Sequence, residues 1–234
     1  MALGQSIRQN TVGLSIFAIV TAGVIAFTQL ETETRIEQNE RAAKSRALYE
    51  IMPRESHDNT LLEDVLAIDD EALLGASARG EAYLAMRDGK VVGVILPTLA
   101  ADGYTGDIRS IVGIDADGRI TGVRVLIHKE TPGLGDKIEL KKSGWVLQFD
   151  GKSLGEPIAT RWKVSKDGGE FDQLTGATIT PRAVVSSVKR ALEYFAAHRD
   201  DFLDYQSPVA SPPIPPAPAP AMEPEPEQNE GTGL

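Results

Sequence analysis

Asp107-Ile108-Arg109-Ser110-Ile111-Val112-Gly113-Ile114, then Asp115-Ala116-Asp117-Gly118, then Ile120-Thr121-Gly122-Val123-Arg124-Val125-Leu126-Ile127-His128 is the stretch that decides the fold. Two runs that include the β-branched residues Ile111, Val123, Val125 and Ile127 flank a short link ending in glycine, the pattern of a β-hairpin. A second pair lies upstream, where Ala82 to Met86 and Val91 to Leu96 flank Asp88-Gly89, a two-residue turn signature. Downstream, Val184, Val188, Ala191, Leu192 and Phe195 recur at helical spacing between Pro181 and about His198. Antiparallel strands followed by a packed helix read as one α+β domain. Between hairpin and helix lie a Gly-rich loop around Pro132 to Gly135 and a segment near Trp145; Trp145 and Trp162 are assigned to packing.

Bulk composition removes several functions. The chain has 234 residues, room for one ordinary domain plus accessories. A net charge of −10 argues against a nucleic-acid partner, because phosphate binding needs clustered Lys and Arg. There is no cysteine, which excludes disulfides, thiolate metal sites, cysteine-ligated iron–sulfur clusters and cysteine nucleophiles. His57, His128 and His198 are far apart in sequence, so no metal site is expected. G-x-x-x-x-G-K-[ST], H-E-x-x-H and G-x-S-x-G are all missing, and no catalytic nucleophile with a base can be nominated.

The two ends differ from the middle. Gln9 to Leu30 carry no charge, which suits a membrane-spanning helix of about 20 residues. A cleaved signal peptide fits less well, since no A-x-A site follows. Glu31 to Met52 are helix-favouring, and Pro53 ends that run. Nine prolines fall from Pro208 to Pro226, so the end of the chain cannot form a packed core. The expected organisation is a short N-terminus over 1–8, a transmembrane helix over 9–30, a helical stalk over 31–52, the folded domain over 53–205 and a disordered Pro-rich acidic tail over 206–234. Arg35, Arg41, Lys44 and Arg46 follow the span, whereas Arg8 and the terminal amine precede it, so charge counting leaves the side of the domain undecided.

One candidate site remains: Thr175-Gly176-Ala177-Thr178-Ile179-Thr180-Pro181, just ahead of the last helix. Pro181 suits a first helical turn, and Thr180 is placed to cap it. Free N–H groups and the positive dipole end make such a place an anion site, with Gly176 and Ala177 leaving the backbone approachable. Spacing alone favours a plain N-cap followed by an amphipathic helix, because threonines are common at helix starts.

The stretch Thr175-Gly176-Ala177-Thr178 resembles the [S/T]-G-A-T flavinylation motif of the FMN-binding domain family. Asp102-Gly103-Tyr104-Thr105-Gly106, the block from His128 to Leu140 and Lys166-Asp167-Gly168-Gly169-Glu170-Phe171-Asp172 resemble, in the same order, the G subunit of Rnf-type electron-transport complexes. The resemblance covers about residues 1–200. It implies FMN joined covalently through a phosphoester to Thr178, with Thr175, Gly176, Ala177 and Thr180 around it. A separate magnesium-dependent flavin transferase would supply the FMN from FAD. The resemblance also implies a single-pass protein of the bacterial inner membrane with the flavin domain on the periplasmic side. Its partners would be the A, B, C, D and E subunits of the Rnf complex, and membrane lipid through the N-terminal helix. The complex would couple electron transfer between NADH and ferredoxin to ion translocation.

Glu130, Thr131, Pro132, Gly133, Leu134 and Gly135 are expected to form a second wall of the flavin site, with a plain strand-to-helix connection as the alternative. Lys137 and Asp172 would contact phosphate or ribityl oxygens, or else form surface ion pairs. Tyr104 would pack near the ring or be a buried core tyrosine. Two other readings stand beside this one. The FMN-bearing C subunit of the sodium-translocating NADH:quinone reductase shares the motif, although the short chain and the block from His128 to Leu140 favour the Rnf G subunit. A membrane-anchored binding or scaffold protein with no redox role is the reading from another class.

Overall fold

The computed structural model describes residues 11, 13–25, 29, 42, 44–75 and 79–207. Five strands, β1 (Val65–Ile68), β2 (Gly80–Arg87), β3 (Lys90–Ala100), β4 (Ile108–Asp115) and β5 (Ile120–Ile127), form one antiparallel sheet in sequential order. A short helix α1 (Glu71–Leu74) follows β1; the long helix α2 (Ile179–Ala197) and the short α3 (Arg199–Leu203) close the described chain. Between β5 and α2 the chain runs through 3-10 turns at Gly135–Ile138, Gly144–Phe149, Ala159–Arg161 and Ser165–Asp167.

Both expected hairpins are present. Asp88 and Gly89 have φ of 52° and 73°, the doubly left-handed geometry that matches strand twist, and Arg87 pairs with Lys90. In the second turn the Asp115 carboxylate accepts the N–H groups of Asp117 and Arg119, both at 2.9 Å. That side chain satisfies the turn backbone, which is the usual use of Asp in such links.

Near-continuous apolar runs in the central strands follow from burial on both faces. Leu84, Val94, Leu96, Val112 and Val123 belong to the core with Val184, Val188, Ala191, Leu192 and Phe195 of α2. Tyr83, Ala85, Ile95 and Ile111 face the other way and pack with Leu48, Ile51, Met52 and Leu61. Thr98 Oγ1 donates to Ser187 O at 3.2 Å, and Arg190 Nη2 to Leu99 O at 2.8 Å, fixing α2 across β3.

The helical run expected over 31–52 is described over 44–51, and that part does not stand apart as a stalk. Leu48 and Ile51 are 0 % and 1 % exposed. Strand glycines let it sit close: a Cβ on Gly113 would lie 2.1 Å from Ile51 Cγ2, and one on Gly93 2.5 Å from Met52 Cε. The boundary expected at residue 53 therefore falls inside packed structure. Its physical reason is that the second sheet face must be covered, and this segment covers it.

The helical residues 13–25 carry exposed apolar side chains, such as Phe17 and Ile19. Among the described residues no helix is long and apolar enough to cross a membrane. Residues 9, 10, 12, 26–28 and 30 of the expected span, 31–41 and 43 of the expected stalk, and 208–234 of the expected tail lie outside the described residues.

Trp145, Phe149, Trp162 and Phe171 pack together, with Phe171 4.8 Å from both Phe149 and Trp162 between ring centroids. Trp145 Nε1 donates to Asp172 O at 2.8 Å, which anchors the lead into the segment before α2.

Candidate functional site

Leu174 starts a tight turn closed by Ala177 N–H to Leu174 O at 3.1 Å. Its third position is Gly176 at φ 83°, a left-handed conformation that glycine alone adopts without strain. A Cβ there would also approach Leu134 Cδ2 to 2.9 Å, so the turn packs directly on the loop after β5.

Thr178 is the N-cap of α2, and its side chain makes no capping hydrogen bond. The first N–H groups of a helix have no intrahelical acceptor and sit at the positive dipole end. Pro181 falls in the first turn, where its missing N–H costs nothing. The cap expected at Thr180 is corrected: Thr180 is inside the helix, 0 % exposed, and its hydroxyl donates to Glu130 Oε2. A buried carboxylate offers that hydroxyl a stronger acceptor than any local backbone group.

A cavity of about 390 Å³ opens between this turn and the loop after β5. It brings together Glu130, Thr131, Leu134 and Gly135 from one side with Gly176, Ala177, Thr178 and Thr180 from the other. Thr175, Pro132, Gly133 and Lys137 do not line it. Thr175, Pro132 and Gly133 are exposed on the outside of their turns. Lys137 is engaged through its carbonyl, which accepts Ser143 Oγ at 2.6 Å. Asp172 is exposed and also lies off the cavity.

Tyr104 lines the cavity and is 65 % exposed, so it is no core tyrosine. Ile179, 45 % exposed, was not among the expected site residues. Its only sequence signal is an apolar residue in the first position of an amphipathic helix, off the buried stripe. Tyr104, Leu134 and Ile179 together give the mouth an exposed apolar rim.

Glu130 is 4 % exposed, and its Oε1 accepts Thr105 N–H at 3.0 Å and Thr105 Oγ1 at 3.1 Å. Its own N–H donates to His128 Nδ1 at 3.0 Å, and His128 Nε2 lies 2.7 Å from Glu139 Oε1. Because Nδ1 accepts, the network assigns the ring proton to Nε2, which donates to Glu139.

The cavity lies in the volume range of small-molecule sites, about 300–1,000 Å³. Its lining includes a helix start suited to phosphate, and its rim is apolar, suited to an aromatic ring system. Those features fit a flavin mononucleotide, with Gly176 and Ala177 lining the cavity beside Thr178. Among the described residues no group of three or more His, Cys, Asp or Glu can hold a metal ion. Two larger grooves exist, one of about 520 Å³ beside Lys44 and Tyr83 and one of about 670 Å³ along β5. Neither contains any part of the segment before α2.

The FMN-binding domain family matches residues 103–193, and the RnfG N-terminal region matches residues 1–51. The G subunit of the ion-translocating oxidoreductase complex of Pseudomonas aeruginosa strain UCBPP-PA14 is 50 % identical over 202 residues, 86 % of this chain and 94 % of that protein. The proteins of the same name from Shewanella loihica and Vibrio vulnificus are 47 % and 45 % identical, each over 86 % of this chain and 94 % of their own length. A solved structure of the C subunit of a Na(+)-translocating NADH-quinone reductase, from Parabacteroides distasonis, aligns at TM-score 0.39 and 23 % identity. It covers 56 % of this chain and 65 % of that one, too remote to bear on the assignment. With half of the 202 aligned residues identical across nearly the whole relative, and with the FMN-binding region spanning the cavity just described, the chain belongs to the RnfG family, the G subunits of ion-translocating oxidoreductase complexes.

Proposed function

We propose that this chain is an electron-transfer subunit of an Rnf-type membrane complex and carries FMN esterified through its phosphate to Thr178. One observation supports the attachment point above the others: Thr178 begins α2 with its hydroxyl unused for capping, at a cavity bounded by small residues and an apolar rim. Family membership supplies the class of cofactor, and the geometry favours this threonine over its neighbours. Thr180 is buried against Glu130, and Thr175 lies off the cavity.

When bound, FMN supplies one- and two-electron redox chemistry that no side chain here provides. The protein's part is binding and placement. The first turn of α2 would hold the phosphate, and Tyr104, Leu134 and Ile179 would offer the ring an apolar bed. A threonine hydroxyl is a weak nucleophile without an activating base. In this reading the attachment falls to a separate flavin transferase, as the family resemblance implies. There the Thr178 Oγ1–P bond forms, the pyrophosphate bond of FAD breaks, AMP leaves, and the hydroxyl proton is lost. The exposed Gly176 and half-buried Ala177 suit entry of this turn into another enzyme's site. A covalent tether also keeps the carrier's local concentration high beside its redox partners.

In this reading the uncharged N-terminal run anchors the chain in the inner membrane, and the folded domain lies on the periplasmic side against the other subunits of the complex. The exposed apolar side chains of 13–25 support a lipid environment for that helix. The test is mass analysis of protein made with an active flavin transferase, beside Thr178→Ala. The expected result is a gain of FMN less one water on the peptide containing Thr175 to Thr180, absent in the variant. An unmodified wild-type chain, with the transferase active on a known acceptor, overturns the reading and leaves a membrane-anchored scaffold.

A further inference from the structure

Three segments that are distant in sequence meet at one buried carboxylate. Glu130 lies three residues beyond the end of β5, just ahead of the turn at 132–134, and its Oε1 accepts both the N–H and the hydroxyl of Thr105. Its Oε2 takes the hydroxyl of Thr180 in the first turn of α2. Two glycines press against it: a Cβ on Gly135 would lie 2.9 Å from Oε2, and one on Gly103 3.0 Å from Oε1. Behind it, His128 accepts the Glu130 N–H and is itself held by Glu139. Both carboxylate oxygens are thus engaged inside the protein, although the residue borders the cavity.

We propose that Glu130 is a positioning residue for the flavin, acting through Thr105 and Thr180 rather than by touching the cofactor. It ties the loop that carries Tyr104 to the helix start that carries Thr178, so attachment point and ring bed keep a fixed separation. Charge-assisted bonds suit this work, being shorter and stronger than neutral ones. The proposal rests on the reading of Thr178 as the attachment site.

The test uses the full-length protein in nanodiscs, before and after loading by the transferase, as wild type, Glu130→Ala, Glu130→Gln and Thr180→Val. Three quantities are read: amide hydrogen exchange by residue, fluorescence anisotropy of the attached flavin, and the thermal midpoint. In Glu130→Ala, exchange at 103–106 and in the first turn of α2 rises about tenfold while the rest of the sheet keeps its protection. The loaded flavin loses anisotropy. Glu130→Gln restores most of both, because its amide oxygen still accepts from Thr105 and its NH2 group can donate to Thr180 Oγ1. Thr180→Val removes one hydroxyl and loosens the helix start alone, which keeps the comparison available if Glu130→Ala fails to fold. Wild-type exchange and anisotropy in Glu130→Ala and Thr180→Val, with FMN present, overturn the clamp only. A uniform rise in exchange across the domain in Glu130→Ala, without rescue by Glu130→Gln, overturns it as well. Absence of FMN from the wild type overturns the Thr178 reading, and the flavin role of Glu130 with it.

Discussion

His57 shows what a single buried polar side chain can impose on the whole domain. It is 4 % exposed, its Nδ1 pairs with Asn59 O at 2.9 Å, and its Nε2 is buried without a hydrogen-bond partner. Burial lowers its pKa below the ordinary histidine value, since a charged ring there would be desolvated. The unfolded chain, with a histidine pKa of about 6.5, therefore binds more protons than the folded one at mildly acid pH. The sign follows: stability is full above pH of about 6.5 and falls as the pH drops below it. Urea unfolding from pH 8 to pH 5 is expected to show this slope, and His57→Gln to flatten it; equal slopes in the two proteins would refute the assignment. Sequence alone did not distinguish this histidine from His128 or His198. What separates them is burial and the partner each ring nitrogen meets, and neither is a local property of the chain.

Turns carry the next level of organisation, and two glycines separate backbone strain from crowding. Gly89 at φ 73° has open space around a would-be Cβ, whereas Gly176 at φ 83° has Leu134 Cδ2 at 2.9 Å. Gly89→Ala is expected to cost about 1 kcal/mol, the strain of a left-handed alanine. Gly176→Ala adds a contact with Leu134 to that strain and is expected to cost about 2–3 kcal/mol. Chemical denaturation of both variants checks the order, and a Gly176→Ala loss no larger than that of Gly89→Ala would contradict it. The hairpins were readable in advance, because Asp88-Gly89 and Asp115 to Gly118 carry their turn chemistry in adjacent residues. The region from Leu140 to Leu174 was not, since it is built of short 3-10 turns held by an aromatic cluster. Such turns have no periodicity to read; long-range packing of Trp145, Phe149, Trp162 and Phe171 selects them.

Across the whole molecule, the sheet is covered on both faces, and that makes the segment 44–52 part of the fold. A fragment spanning 42–207 is expected to be folded and monomeric. One starting at residue 53 leaves Tyr83, Ala85, Ile95 and Ile111 without Leu48, Ile51 and Met52, an exposed apolar face of the kind that drives association. Gel filtration and hydrophobic-dye binding compare the two, and a monomeric, dye-silent 53–207 fragment would refute the claim. The sequence by itself determined the α+β class, both hairpins, the long helix and the segment that meets the cavity, because each is written in neighbouring residues through turn chemistry or hydrophobic period. Only the tertiary structure decided that Thr180 faces Glu130 instead of capping its helix, that Tyr104 and Ile179 share a rim with Leu134, and that the fold begins before Pro53. Those outcomes depend on which distant groups compete for one hydroxyl or one sheet face, and that competition exists only once the chain has folded.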